Sequence, residues 1–310
     1  MTTSTATTSP TAERPSLSPM LGAKLTLVAF FWGGTFIAGR VLALSMPLMT
    51  AAFCRFLVAA VLLLLLSLKL EGGLPRLNRS QMLTTAMLGL TGIFLYSVFF
   101  FGALAQIPAG RTALFVSLNP IVTAIAASFI FRERLGAKRW LGIGIALAGA
   151  MIVITRGDFL GALHDISRSF GIGEMLMSCA VLSWAAYTLI SRKAMESLSP
   201  VAATTYATLW GLFFLLMASV KEMSSIQWLS LGWSVWASIF YLGAVGTVVA
   251  FIWYYQGIKA VGPSRAAVFT NLVPAFGVLL SAGLLQEPIL ISMLIGGALS
   301  AVGVSLTNRK

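Results

Sequence analysis

Residues 111–133 read RTALFVSLNPIVTAIAASFIFRE, and residues 265–287 read RAAVFTNLVPAFGVLLSAGLLQE. Each stretch runs from an arginine, through an apolar segment interrupted by one proline, to a glutamate. At a constant spacing of 154 residues, Arg111 falls on Arg265, Phe115 on Phe269, Pro120 on Pro274 and Glu133 on Glu287. The register extends without a gap from 88–156 onto 242–310, pairing Gly89 with Gly243, Gly92 with Gly246, Gly142 with Gly296 and Gly149 with Gly303. Eleven of these 69 positions are identical, roughly twice the chance level for such a composition. Nearer the N-terminus, a spacing of 152 brings Trp32 onto Trp184 and Arg40 onto Arg192. The chain reads as a duplication.

The solvent of those halves follows from composition. Of 310 residues, 58% are hydrophobic and 10% charged, against about 45–50% and about 25% in a soluble domain. That excludes a water-soluble enzyme, a disordered chain and a disulfide scaffold. The net charge of +12 would suggest nucleic acid in a soluble protein, but no basic run is long enough to form such a surface, so no nucleic-acid partner is expected. Apolar runs fall near 22–43, 50–70, 82–104, 110–131, 138–155, 172–191, 200–220, 233–257, 264–285 and 288–307. Each matches the roughly 20 residues a helix needs to cross a bilayer, and all are too continuous for the alternating strands of a barrel.

The expectation is an all-α membrane protein with ten transmembrane helices, arranged as two inverted five-helix repeats around a central cavity. Residues 1–20 read as a disordered tail, 21–156 as the first repeat, 157–171 as a linker and 172–310 as the second repeat. Because five is odd, the second half enters the membrane from the opposite side, an arrangement common in secondary transporters. Fifteen basic residues fall on the side of the termini and five (Arg40, Arg111, Arg156, Arg168 and Lys221) on the other. This bias predicts that both termini are cytoplasmic.

Polar features at mid-depth give the candidate site. Pro120 and Pro274 each lack an amide hydrogen and clash with the carbonyl four residues back, at Val116 and Thr270, so both are candidate hinges. Ser117 and Asn119 flank the first, and Thr270 and Asn271 the second. Trp32 with Thr35, Trp184 with Tyr187, Tyr96 with Phe100, and Trp253 with Tyr254 lie at comparable depth, suiting a cavity for flat amphipathic solutes. Trp140, Trp228 and Trp233 read as interfacial belt residues. Arg55 is the one plainly intramembrane charge and is expected to snorkel to the outer surface rather than to pair with a substrate carboxylate. Since no Asp or Glu occupies the centre of a span, a uniport-like facilitator is expected rather than a proton-coupled pump. Gly142, Gly144 and Gly149, with Gly296 and Gly303, form a small-residue seam for packing or an oligomer contact. Cys54, Cys179 and His164 lack the spacing of a metal site, and no nucleophile, phosphate-loop or zinc-protease motif is present. No enzyme activity, metal or cofactor is expected.

The WGGTFIAGR stretch at 32–40, SLNPIVTAIAASFIFRERL at 117–135 and its echo NLVPAFGVLLSAGLLQEP at 271–288 resemble the EamA-type family of the drug/metabolite transporter superfamily. Within it, the chain looks most like the YddG-type exporters of aromatic amino acids. The similarity spans about residues 22–308. It implies alternating access in the bacterial inner membrane, with residues 157–171 periplasmic and with aromatic and other neutral amino acids as cargo. It also implies that the first, third, fourth, sixth, eighth and ninth spans surround the cavity, while the fifth and tenth lie outside. Mapped onto this chain, the cavity residues are Trp32, Thr35, Tyr96, Asn119, Trp184, Tyr187, Trp253 and Asn271. A monomer or weak homodimer in the lipid bilayer is expected. The alternatives are a phosphorylated-metabolite or nucleotide-sugar carrier on the same fold, or a nontransporting sensor or scaffold.

Overall fold

The computed structural model describes residues 18–130, 136–158, 170–261, 266 and 269–308. Among them no strand occurs. The helices are α1 (Pro19–Ser45), α2 (Leu48–Glu71), α3 (Arg79–Gln106), α4 (Ala109–Ile130), α5 (Ala137–Ile154), α6 (Ile172–Ala194), α7 (Pro200–Met223), α8 (233–261), α9 (Val273–Leu285) and α10 (Ile291–Asn308). Seven of them, α1 to α4 and α6 to α8, contain apolar stretches long enough to cross a membrane. Among the described residues the apolar parts of α5, α9 and α10 are shorter. Glu133, His164 and Arg265 lie outside the described residues, as does the tail up to residue 17; helix α1 begins at Pro19, inside the segment expected as tail.

Local chemistry sets several ends. The Ser18 and Ser199 hydroxyls accept from Leu21 N at 3.3 Å and Ala202 N at 3.0 Å, with a proline next in the chain at each start. Such caps satisfy amides that a helix cannot pair internally. Gly72, at φ 71°, closes α2 in the left-handed conformation, which glycine adopts without strain. Outward-facing Leu57, Val61 and Leu65 on α2, and Phe213, Met217 and Val220 on α7, are exposed. In water these would be a liability, whereas lipid is their natural solvent.

Two helices widen and two break. Residues Gly89–Leu95 of α3 and Tyr241–Val249 of α8 are π-helical. In α4, Val116–Leu118 tightens into a 3-10 turn and Asn119 N donates to Val116 O, giving a partner to the carbonyl that Pro120 cannot serve. Before Pro274 the chain makes a turn at 271–272, with Leu272 N donating to Phe269 O at 3.0 Å and Phe276 N to Leu272 O at 3.0 Å. Both prolines thus sit just after a local break.

With little hydrophobic drive between helices in lipid, close backbone approach supplies the cohesion. Helices α5 and α10 pack through the glycine seam: a Cβ at Gly149 would stand 2.5 Å from Gly296 O, and one at Gly303 2.4 Å from Ala146 N. Gly89 lets α3 touch α7 in the same way, at 2.7 Å from Ala207 O.

Candidate functional site

Enclosed by these helices is a cavity of about 1020 Å³, at the upper end of the range for small-molecule sites. Two chains of aromatic contacts line it. In one, Phe36 meets Phe100 edge-on at 5.5 Å, Phe100 stacks on Tyr96 at 5.5 Å, Tyr96 lies 5.3 Å from Trp184, and Trp184 5.2 Å from Tyr187. In the other, Trp32 meets Phe251 edge-on at 5.7 Å and Tyr254 edge-on at 5.2 Å.

The wide turns position these rings. Gly246 brings α8 against α1: its carbonyl accepts the Trp32 indole N–H at 3.0 Å, and a Cβ there would be 2.6 Å from Thr35 Cγ2. Gly92 does the same for Tyr187, whose ring Cδ2 would lie 2.1 Å from an added Cβ. A π-turn exposes backbone and is frequent at functional sites; here both carry a glycine onto which a cavity residue packs.

Of the residues named from sequence, Trp32, Thr35, Tyr96, Asn119, Trp184, Tyr187 and Asn271 line the cavity, together with Pro120 and Pro274. Trp253 does not: its ring tilts on Phe31 at 5.7 Å with Lys24 Nζ 5.9 Å from its centroid, while its neighbours Phe251 and Tyr254 face inward. Helix α10, expected outside, contributes Leu294, Gly297, Ala298 and Ala301, whereas α5 contributes nothing to the lining among the described residues. Thr204 and Thr208 of α7 also line it; their four-residue spacing puts two hydroxyls on one helical face, a signal present in the sequence. Arg55 departs furthest from expectation. It lines the cavity with its guanidinium 4.5 Å from the Phe56 ring centroid and 6.0 Å from that of Phe101. Helix α2 packs on α7 and on the wide turn of α8.

One end of the bundle, where α1 and α3 finish and α4 and α6 begin, is tied by charge. Arg111, 3% exposed, pairs with Glu174, 4% exposed, at 2.8 Å and also donates to Ile154 O. Glu287 accepts from Ala109 N at 3.0 Å, Gly110 N at 3.2 Å and the Ser281 hydroxyl, with Arg40 Nε 3.9 Å away. Arg40 donates in turn to Leu104 O and Ile107 O. None of these four charged residues lines the cavity. The cavity instead extends from Phe36, Phe100 and Leu114 toward Tyr187, Thr204 and Tyr254, near the opposite end. Among the described residues no cluster of His, Cys, Asp or Glu could hold a metal ion.

Comparison with known proteins agrees with this architecture. The model of the EamA-like transporter family matches twice, over residues 20–155 and 171–309. An uncharacterized transporter of Bacillus subtilis (strain 168), YyaM, is 30% identical over 277 residues, covering 89% of each chain. A second from the same organism, YetK, is 28% identical over 294 residues, covering 94% of this chain and 88% of its own. A solved crystal structure superposes with a TM-score of 0.65 at 18% identity, covering 93% of this chain and 96% of that one; the likeness is one of fold. With nearly the whole chain matched by the family model, the protein belongs to the EamA-like transporter family and is a multi-pass membrane transporter.

Proposed function

We propose that the chain exports aromatic and other neutral amino acids across the bacterial inner membrane by alternating access, in the manner of the YddG-type exporters it resembles. The observation that carries this reading is the aromatic-lined cavity, to which Trp32, Trp184, Asn119, Asn271 and Thr204 all contribute. Aromatic walls with sparse polar groups suit a flat side chain carried by a small polar head. The ten helices are read as ten spans in two inverted sets of five, a reading supported by the two family matches and by a π-turn at the corresponding place in each half. With both termini cytoplasmic, the ion-paired end is periplasmic. The cavity then faces inward, and Arg40, Arg111, Glu174 and Glu287 hold the outer side shut. Pro120 and Pro274 are the hinges. No acidic side chain lines the cavity among the described residues, which favours uniport-like movement.

Purified protein in liposomes should carry labelled phenylalanine, tryptophan and threonine down a gradient, and Trp184→Ala should lower the flux about tenfold or more, as expected when a large aromatic contact is removed. Absence of flux for all three amino acids would remove this reading and favour a sensor. Movement driven by a pH gradient alone would replace uniport with proton coupling. A phosphorylated-metabolite carrier is the second reading, favoured by Arg55 in the cavity; competition by sugar phosphates but not by amino acids would establish it.

A further inference from the structure

Arg55 makes no hydrogen bond or ion pair with any described residue, and its buried Nε has no partner. The two arginines of the ion-paired end are both engaged, Arg40 with Glu287 and carbonyls and Arg111 with Glu174. The lining around Arg55 is otherwise apolar, aromatic, hydroxyl or amide. An uncompensated cation in a low-dielectric interior is costly and marks a functional site by default.

The surroundings hold this cation in place without neutralising it. Phe56 and Phe101 flank the guanidinium, and a cation over an aromatic face is attracted to it. These contacts use no N–H donor, so the fork that grips a carboxylate in bidentate fashion stays unspent. The backbone is fixed as well, since a Cβ at Gly243 would stand 2.6 Å from Arg55 O. Two further residues that line the cavity, Asn119 and Thr208, each hold a buried side-chain oxygen without a hydrogen-bond partner among the described residues.

We propose that Arg55 is the anchor for the carboxylate of the cargo, and that the cavity selects an aromatic monocarboxylate for which an ammonium group is dispensable. The inference rests on reading this cavity as the transport site and specifies which end of the cargo is read. One cation matches one negative charge. A phosphate dianion or a diphosphate would leave charge unanswered, since no second cation lines the cavity among the described residues. An amine would meet Arg55 as a like charge, with no acidic side chain in the lining to receive it.

The test is binding by the full-length chain in detergent, read from quenching of its tryptophan fluorescence, to which the cavity residues Trp32 and Trp184 contribute. The ligands are 3-phenylpropionate, its uncharged isostere 3-phenylpropanamide, phenethylamine and phenylalanine. The acid should bind at least about tenfold more tightly than the amide and the amine, the scale of a charge-assisted bidentate contact. Phenylalanine should bind no more tightly than the acid. Arg55→Gln should erase the gap between acid and amide, and Arg55→Lys should restore part of it. Equal binding of acid and amide by the wild type overturns the proposal, even if Arg55→Gln proves too unstable to purify. A gap that survives Arg55→Gln overturns it too. Failure of the transport reading is separable. Arg55-dependent binding of the acid without flux of any ligand into liposomes refutes transport and leaves the anchor standing. Flux of phenylalanine and of the amide with equal ease does the reverse.

Discussion

Two glycines a single turn apart in α3 have different duties. A methyl group at Gly89 would press on backbone, 2.7 Å from both Ala207 O and Gly211 N, so α3 and α7 would have to separate. Gly89→Ala should therefore cost about 1–3 kcal/mol, the usual price of overpacking, seen as a lower unfolding temperature in detergent. At Gly92 the obstacle is the Tyr187 ring rather than backbone, so an added methyl displaces a cavity residue instead of parting two helices. Gly92→Ala should cost less stability than Gly89→Ala and reduce flux more. The pair Arg111–Glu174 makes a third case. Both side chains are about 95% buried, so Glu174→Gln leaves a charge stranded and should destabilise by about 3–5 kcal/mol. Replacing both, with Arg111→Leu and Glu174→Leu, should recover much of that loss in the same unfolding assay, because an apolar pair has no charge to desolvate.

Helices α2 and α4 both begin after a proline, Pro47 and Pro108, neither of which offers a side-chain cap. In each case a carboxylate from another helix end takes the orphan amides: Glu222 accepts from Thr50 N at 2.9 Å, and Glu287 from Ala109 N and Gly110 N. A negative charge at a helix N-terminus is favourable in itself, so Glu287 ties the end of α9 to the start of α4 more firmly than its 3.9 Å ion pair would suggest. Glu287→Gln should loosen that end. A cysteine introduced by Ser117→Cys, with Cys54 and Cys179 replaced, should then react faster with an impermeant thiol reagent added from that side; an unchanged rate would show that Glu287 is not a closure. The sequence made most elements legible because apolar length is a direct reading of bilayer thickness, and Pro120 and Pro274 announced their breaks through the missing amide. It hid the wide turns, because Gly89–Leu95 and Tyr241–Val249 have ordinary helical composition and differ only in hydrogen-bond register. For the same reason the sequence points to Trp253 while Phe251 and Tyr254 line the cavity: which residue faces inward past a π-turn depends on a phase that composition does not carry. Arg55 was visible as a charge, but whether it faced lipid or cavity depended on which helices covered α2.

At the scale of the molecule, cohesion and function use different surfaces. The glycine seam between α5 and α10 joins a helix of each half by backbone contact, whereas the cavity is walled by longer side chains from both halves. The charged ties lie apart from both, at one end. The π-turns carry an implication for how that cavity is numbered. Each accommodates residues beyond those an α-helix would place in the same rise, and each residue of an α-helix advances the azimuth by about 100°. Removing Leu90 and letting α3 close into regular α-geometry would therefore leave the phase beyond it nearly unchanged, whereas closing the turn with every residue kept would rotate the rest of α3 by about that angle and carry Tyr96 and Phe100 off the cavity wall. The Leu90 deletion should accordingly retain ligand-induced tryptophan quenching, with helix content by circular dichroism almost intact. The aromatic lining is thus a matter of angular timing along the helix: the same side chains would make a different wall if the wide turn tightened.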